Sequence, residues 1–367
     1  MKNGRVCIMT SVHGAKDVRI YEKEAKTLAK NGYEVILINS YEEGREYGVV
    51  FRRADVPNGR LARMAAAWII YFRRAYDSQA AICHFHDPEL IMAGLLLRLM
   101  GRKVIYDVHE DLPKQLLYKP YLTGEMRRFF SKAAELFEER AANFFNVNLC
   151  ATEQIAKRFE NAVVLHNYPS QKELERYKKQ IIPYKQRKKL FCYIGAISEH
   201  RGIFNILDAV QGSDVSVMLA GSFEDENLKM RCQIHKGFKN VEYMGVLNRE
   251  EVFSLLGECR GGLLLLEATQ NYLESMPIKM FEYLAAGVPV ICSDFPLWRQ
   301  LLGDAAIFVD PNNPAEVLDA MCDLLKNEQK GEELSKKGIE LAEKHFVFEN
   351  EQHRLLNIYG KLNAQNI

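Results

Sequence analysis

Two glutamates, Glu274 and Glu282, flank the run Ser275-Met276-Pro277-Ile278-Lys279-Met280-Phe281. An apolar stretch, GGLLLLE, ends just before them near Leu266, and a polar loop leads to Pro277. There a helix, IKMFEYLAAG, can begin, with Pro277 at its first position and Gly287 as its stop. A helix start offers unpaired backbone N–H groups and the positive end of the dipole, a combination that favours an anion. Lys279, in the first turn, places a cation at that positive end. This is unfavourable for the helix alone and makes sense if an anion such as a diphosphate rests there. Glu282, one turn on, has acceptor oxygens for vicinal hydroxyls such as a ribose offers, and Glu274 would face the sugar side of the same ligand. Spacing alone equally allows a solvated loop, a capped helix and a surface glutamate.

Three further clusters stand out. RKVIYDVHEDLP ends an apolar run at Asp107, His109, Glu110 and Asp111. In CHFHDPEL, strand alternation puts His84 and His86 on one face with Asp87 adjacent, a pattern that could suggest a metal. No third ligand motif accompanies them, so a structural or acceptor-side polar role is expected and no metal. In TSVHGAKDVRI, His13, Gly14, Asp17 and Arg19 fall close together after the first apolar run.

The elements that must position these groups alternate. RVCIMTS, DVRIYEKEAKTLAKNG and YEVILIN read as strand, helix and strand, with Gly32 at the helix stop. AAICHFHD, PELIMAGLLLRLMG and RKVIYDVHED repeat the unit between Pro88 and Gly101. Strands FNVNLCA and VVLHNYP follow. The alternation restarts with LFCYIGAI and continues through VSVMLAGS, VEYMGV, GGLLLLE, VPVICSD and AAIFVD, each separated by a helical segment. Continuous apolar strands between helices imply parallel sheets covered on both faces. The expected fold class is α/β, with two doubly wound Rossmann-like lobes facing a central cleft and ligands beyond the carboxyl ends of the strands. The expected boundaries are 1–170 for an acceptor-side lobe, 171–189 for a linker, 190–345 for a nucleotide-sugar lobe, and 346–367 for a final helix that could return to the first lobe. Residues 172–189 hold eight Lys or Arg against two acids around Pro183, which suggests a solvated linker.

At 367 residues the chain suits two domains of about 150–200 each. It is 48% hydrophobic and 26% charged with a formal net charge of +1, so nothing calls for nucleic acid as a partner. No apolar run reaches membrane-spanning length, and the N-terminal apolar stretch is too short for a signal peptide. Eight cysteines lie far apart; Cys7, Cys83, Cys192 and Cys292 sit in apolar runs as small buried hydrophobes, which fits a reduced, cytoplasmic protein.

The Glu274–Glu282 segment resembles the motif of two glutamates separated by seven residues in family-4 retaining glycosyltransferases (group 1) of the GT-B fold, bacterial surface-polysaccharide type. AAGVPVICSDFP is similar to the helix end and strand that follow it there. The resemblance implies that Glu282 binds the donor ribose, that Glu274 contacts the donor sugar, and that the backbone of Met276 to Ile278, with Ser275 beside it, holds the diphosphate. The family usually has Gly where this chain has Pro277, which lacks an N–H, and Lys279 would compensate as a point charge. CYIGAISEHRGIFNILDAV is similar to the loop that opens the second lobe, where two basic residues neutralise the diphosphate. Arg201 matches the second, while Ala196 stands at the first. VEYMGVLNREE resembles the loop that reads the base, placing Val246 and Leu247 beside it. His109 matches a histidine near the reacting sugar, and Gly14 falls in the loop near the donor phosphates.

The resemblance implies sugar transfer with retention from a nucleoside-diphosphate sugar, UDP favoured, to a glycan or lipid-linked acceptor. The setting would be capsule, exopolysaccharide or cell-wall synthesis, with lobe closure excluding water and no cofactor or metal. The alternatives are a non-hydrolysing UDP-sugar epimerase or an inactive sugar-nucleotide-binding subunit. Two basic-aromatic segments, RLARMAAAWIIYFRRAY and KPYLTGEMRRFFSK, allow peripheral contact with the inner face of the membrane or, for the first, burial of its apolar face in the first lobe.

Overall fold

The apolar runs become strands because helices on either side keep them from water, and the helices form where apolar residues recur on one face. The structure, a computed structural model, describes residues 3–57, 59–109, 111–117 and 123–364. The chain forms two units, Met1–Asn167 with Glu351–Ile367, and Tyr168–Asn350.

The first unit carries β1 (Arg5–Met9), β2 (Glu34–Asn39), β3 (Gly44–Glu46), β4 (Val49–Arg53), β5 (Ile82–Phe85), β6 (Lys103–Val108), β7 (Val147–Cys150) and β8 (Ala162–Val164). They lie in the order β3-β4-β2-β1-β5-β6-β7-β8, parallel except for the antiparallel β3–β4 pair. Between β1 and β2 the chain winds as a π-helix, Val18–Ala25, continuing as an α-helix, Lys26–Lys30. Gly32 and Gly101 end helices at φ of 83° and 80°, the left-handed geometry their place requires. The core gathers Tyr71, Phe85, Tyr106 and Phe145.

The second unit carries β9 (Lys188–Ile194), β10 (Ser216–Ala220), β11 (Val241–Gly245), β12 (Cys259–Leu264), β13 (Val290–Ser293) and β14 (Ala306–Val309), all parallel in the order β11-β10-β9-β12-β13-β14. Along β9, Phe191 and Tyr193 enter one core and Cys192 the other, so this sheet is covered on both faces. Among the parallel strands of each sheet the order reverses once, between β1 and β5 and between β9 and β12. Loops diverge at such a switch point and open a crevice at the carboxyl ends of the strands.

The stretch from 171 to 189 is not a solvated linker. Gln171–Gln180 is a helix of the second unit, begun by a capping box between Ser170 and Glu173, with Leu174 and Tyr177 buried. Its lysines and arginines occupy the outer face. The helix Arg60–Asp77 buries Ala67, Tyr71 and Ala75 in the first unit, so its apolar face belongs to the core. The helix Phe348–Ala364 contributes residues from Glu351 onward to the first unit. All eight cysteines are free thiols, seven of them buried. Among the described residues, no helix is long and apolar enough to cross a membrane.

Candidate active site

Near the second sheet's switch point the structure brings Arg201, Lys279 and Glu282 together. The loop after β9 is built on close backbone crossings. Gly195 has φ of 121° and donates to Ala220 O at 2.9 Å, and a Cβ on Gly221 would lie 1.9 Å from Gly195 O. A single turn, Glu199–Arg201, then presents Arg201. It is held from behind: His200 Nδ1 lies 2.6 Å from Glu267 Oε2, and Glu267 N donates to His200 O at 3.0 Å. Gly202 follows at φ of 80°, where a Cβ would meet Leu265 O at 1.8 Å, so only glycine lets this turn lie against the loop after β12.

From the other side comes the helix Ile278–Ala285, with Pro277 as its N-cap residue rather than its first helical one. Pro277 supplies no side-chain cap, and the helix start carries its partial positive charge uncapped by any carboxylate. Tyr283 anchors the helix to β9 by accepting from Ile194 N at 3.1 Å. Ser275 is spent on the loop itself: its amide and hydroxyl both donate to Tyr272 O, and its carbonyl accepts from Trp298 Nε1 at 2.9 Å. It therefore shapes the loop, and Met276 packs on the core beside it. Glu274 is half-buried just upstream.

Lys279 and Glu282 are both 8% exposed. Lys279 Nζ lies 3.8 Å from the centroid of the Tyr193 ring and has no hydrogen-bond partner. Burial first, then the charge of Arg201, pushes its amine well below the ordinary lysine range. Glu282 is not a solitary carboxylate. Arg249 bridges it to Glu173, with 2.5 Å contacts to Glu282 Oε1 and Glu173 Oε1. Burial opposes the Arg249 charge, but Glu282 and Glu173 outweigh it and hold the guanidinium protonated. Val246 is 74% exposed, and Leu247 packs toward the core immediately before Asn248, whose capping box starts the helix Arg249–Glu258. Sequence reasoning missed Arg249, Glu173 and Tyr193; the two capping boxes, Ser170 to Glu173 and Asn248 to Glu251, were the readable signals for the helices that carry the first two.

The first unit places a different constellation at its own switch point. Arg19, from the π-helical turn, donates to both oxygens of Asp107 at 3.1 and 2.9 Å, to Leu165 O at 3.0 Å, and lies 3.1 Å from Glu24 Oε1. His86 Nδ1 is 3.0 Å from His109 Nε2, and His84 Nδ1 is 2.8 Å from the Tyr359 hydroxyl of the final helix. Burial works to raise Asp107, but Arg19 and His109 hold it well below the usual carboxylate range. Glu24 is pushed well up by burial and by Asp107, while burial lowers both His84 and His86 and keeps them neutral. Asp17 accepts from Arg19 N and Ile20 N as a helix cap. The His13 ring lies tilted against that of His109, with centroids 5.3 Å apart. Nothing lies within 4 Å of a Cβ built on Gly14, so the chain itself does not demand glycine there.

Asp87 does not join the histidine pair as sequence adjacency suggested. Its Oδ2 accepts from Thr10 Oγ1 at 2.9 Å and Ser11 N at 2.6 Å, which ties the loop after β1. Instead Glu24 and Asp107 bring ligand-type oxygens within 4.8 Å of His84 and His86, a set invisible to linear spacing. Arg19 already lies between the two carboxylates and supplies the positive charge they need. Asp111 caps the short helix Leu112–Leu116 and pairs with Arg158; Glu110 lies outside the described residues.

A doubly wound sheet with Arg201, Lys279 and an uncapped helix start near its switch point has the arrangement in which α/β units carry ligand sites beyond their strand ends. Solved structures share the two-unit α/β architecture of the GT-B fold. Sucrose-phosphate synthase from Thermosynechococcus elongatus matches at a TM-score of 0.77 and 12% identity, covering 99% of this chain and 100% of that one. Anabaena HepE in complex with UDP and glucose matches at 0.71 and 12% identity over 98% and 100%. The model of glycosyl transferases group 1 matches residues 155–341, and that of glycosyltransferase family 4 matches residues 19–167. The first spans just over half of the sequence, and the chain belongs to the glycosyl transferases group 1. It is similar to a D-rhamnosyltransferase of Pseudomonas aeruginosa, 21% identical over 72% of this chain and 69% of that protein. It is also similar to the O-antigen chain mannosyltransferase C of Escherichia coli, 22% identical over 76% and 74%. The protein is a glycosyltransferase.

Proposed function

We propose that this enzyme transfers a sugar, with retention of anomeric configuration, from a nucleoside-diphosphate sugar to a growing glycan or lipid-linked acceptor of a surface polysaccharide. The observation that carries the reading is the grouping of Arg201, Lys279 and Glu282 around the uncapped start of the helix Ile278–Ala285 at a switch point. Cleavage of the anomeric carbon–oxygen bond leaves an oxocarbenium-like sugar and a diphosphate that gains negative charge. Fixed cations and backbone dipoles stabilise that growing charge without reorganising. Arg201, Lys279 and the helix dipole fill this role, while Glu282 receives the ribose hydroxyls and Val246 and Leu247 flank the base. Glu274 addresses the donor sugar, and His109 serves the acceptor side with Gly14 in the neighbouring loop.

UDP is the preferred carrier, in keeping with the UDP-bound HepE structure, and the mannosyl- and rhamnosyltransferase relatives make mannose-type sugars the first to test. Departure of the diphosphate on the face that the acceptor hydroxyl enters, with the phosphate oxygen taking the hydroxyl proton, accounts for retention. No metal is assigned a role, because Arg201 and Lys279 occupy the place where a cation would serve. Incubating the enzyme with a panel of sugar nucleotides, in EDTA, should yield slow donor hydrolysis or transfer. Sugar isomerised with no acceptor would point to an epimerase, and bound nucleotide never turned over would point to an inactive subunit. Arg201→Ala should lower kcat by about 10²–10³-fold with a smaller change in KM. Unchanged kinetics would remove Arg201 from the mechanism.

The lipid-linked form of the acceptor draws support from the helix Gly124–Ala142. Met126, Phe129, Phe130 and Phe137 are 42–68% exposed along it, interleaved with Arg127, Arg128 and Lys132. An apolar helical stripe left in water beside basic residues suits an anionic membrane surface on the cytoplasmic side. Residues 119–122 of the basic-aromatic segment KPYLTGEMRRFFSK lie outside the described residues. Vesicles containing phosphatidylglycerol should co-sediment the protein at low salt, and a Phe129→Ser, Phe130→Ser double variant should lose most of that binding. No binding by the wild type would confine the enzyme to soluble acceptors.

A further inference from the structure

Lys279 occupies a place that a permanently charged side chain does not tolerate. It is buried, its Nζ lacks any hydrogen-bond partner, and the Tyr193 ring covers it at 3.8 Å. On another side the loop after β9 closes over it: a Cβ on Gly195 would sit 3.3 Å from Nζ. An ammonium cut off from water and from acceptors is strongly disfavoured, and the usual remedy is loss of the proton.

The charged and titratable groups that face it do not relieve this. Arg201, from the turn after β9, repels a second cation. Cys192 and Tyr193, from β9, are themselves buried; a hydrogen bond with Cys259 and then burial push the Cys192 thiol up, and burial pushes Tyr193 up, so that both stay neutral. Tyr283, on the same helix, is likewise held neutral by burial. Glu282, one turn along that helix, favours the charged amine, but its carboxylate is already engaged by Arg249. Burial and Arg201 together therefore outweigh Glu282.

We propose that Lys279 stands as an uncharged amine in the empty site and takes up one proton from solution when the diphosphate of a sugar nucleotide binds, so that donor capture consumes a proton and nucleotide release returns it. The inference rests on the donor-site reading above. The balance is simple. The neutral amine, a proton and the dianionic diphosphate become an ammonium–diphosphate pair, with no other bond changed. The anion gives Nζ the acceptors it lacks, so its proton is held more tightly in the complex than in the free enzyme. Between the free and the bound titration points, affinity falls as pH rises, by up to about tenfold per pH unit. Below the free point the amine is already charged, and above the bound point it stays neutral, so affinity levels off at both ends.

Calorimetry decides this. UDP-glucose and GDP-mannose are titrated into the wild-type enzyme at several pH values from 6.5 to 9, in buffers of different ionisation enthalpy. These diphosphate diesters carry no phosphate that titrates in that range. The dependence of observed heat on buffer enthalpy should show uptake approaching one proton per nucleotide bound. Lys279→Arg, permanently charged, should bind with that uptake abolished, and Lys279→Met serves as a second variant that also cannot take up a proton there. Binding without proton uptake across the range overturns the inference and leaves the donor site standing. Uptake that persists in Lys279→Arg or Lys279→Met moves the proton elsewhere and also overturns it. Failure of both nucleotide sugars to bind the wild type overturns the donor-site reading itself.

Discussion

Arg19→Met should destabilise the first unit by about 3–5 kcal/mol at neutral pH, because it strands two buried carboxylates without their cation. Arg19 lies against both Asp107 and Glu24 and lowers the proton affinity of each. In the wild type, Asp107 is depressed, so its contribution is fully present above the unfolded value of about 4 and is lost only as pH falls through its much lower folded value. Glu24 has the opposite sign: its raised folded value means ionisation at higher pH costs stability. Without Arg19 both carboxyls rise, and the unfolded chain sheds their protons more readily than the folded one. The deficit should therefore be largest above pH 7 and shrink as pH falls toward about 4, where the unfolded carboxyls take up protons as well. Of the two tryptophans, Trp68 lies in the first unit and Trp298 in the second, so urea transitions read by fluorescence in a Trp298→Phe background isolate the first. A midpoint at pH 7.5 equal to that of the parent would show that Arg19 is not what neutralises the cluster.

Glu282→Ala is expected to weaken donor binding by about 10–100-fold, the range for losing hydrogen bonds to a charged acceptor. The loss should fall mainly on KM and on the Kd of the nucleoside diphosphate, since a ribose is held equally before and during bond cleavage. The Arg249 bridge sharpens the expectation. With Glu282 gone, Arg249 keeps Glu173, so no charge is left unpaired and the fold should survive with only a small shift in melting temperature. Glu282→Gln, which still accepts hydrogen bonds, should recover part of the affinity. Nucleotide affinity unchanged in Glu282→Ala would detach this residue from the ribose.

How far the sequence could be read depended on how local each feature is. The Glu274–Glu282 segment was legible because a loop, a helix start and two carboxylates fall within nine residues, and the helix period places Lys279 and Glu282 without any long-range information. Doubly wound sheets were legible for the same reason, since each strand and its helix are neighbours along the chain. The cluster around Asp107 was not. Its members come from positions 19, 24, 84, 86, 107, 109 and 359, and only sheet order brings them together. Asp87 misled because it follows His86 directly, yet at the strand end it turns to cap the loop after β1. Residues 171–189 misled differently: counting charges hid Leu174 and Tyr177, three apart on one helix face, even though Ser170-Gln171-Lys172-Glu173 spelled out a capping box. Pro277 was expected one position too far into its helix, since its fixed φ suits either place.

The final helix has a consequence for how the protein is made. His84, at the centre of the first sheet, finds its hydroxyl partner on Tyr359, and the whole second unit is synthesised between them. A ribosome delivering this chain presents the first unit early but incomplete, with a buried histidine and its neighbouring carboxylates waiting for residues that follow the whole second unit. Domains generally fold as they appear, N-terminal first. Here the unit that appears earlier is completed later, and the nascent polypeptide must shelter a half-built polar core until Tyr359 has emerged.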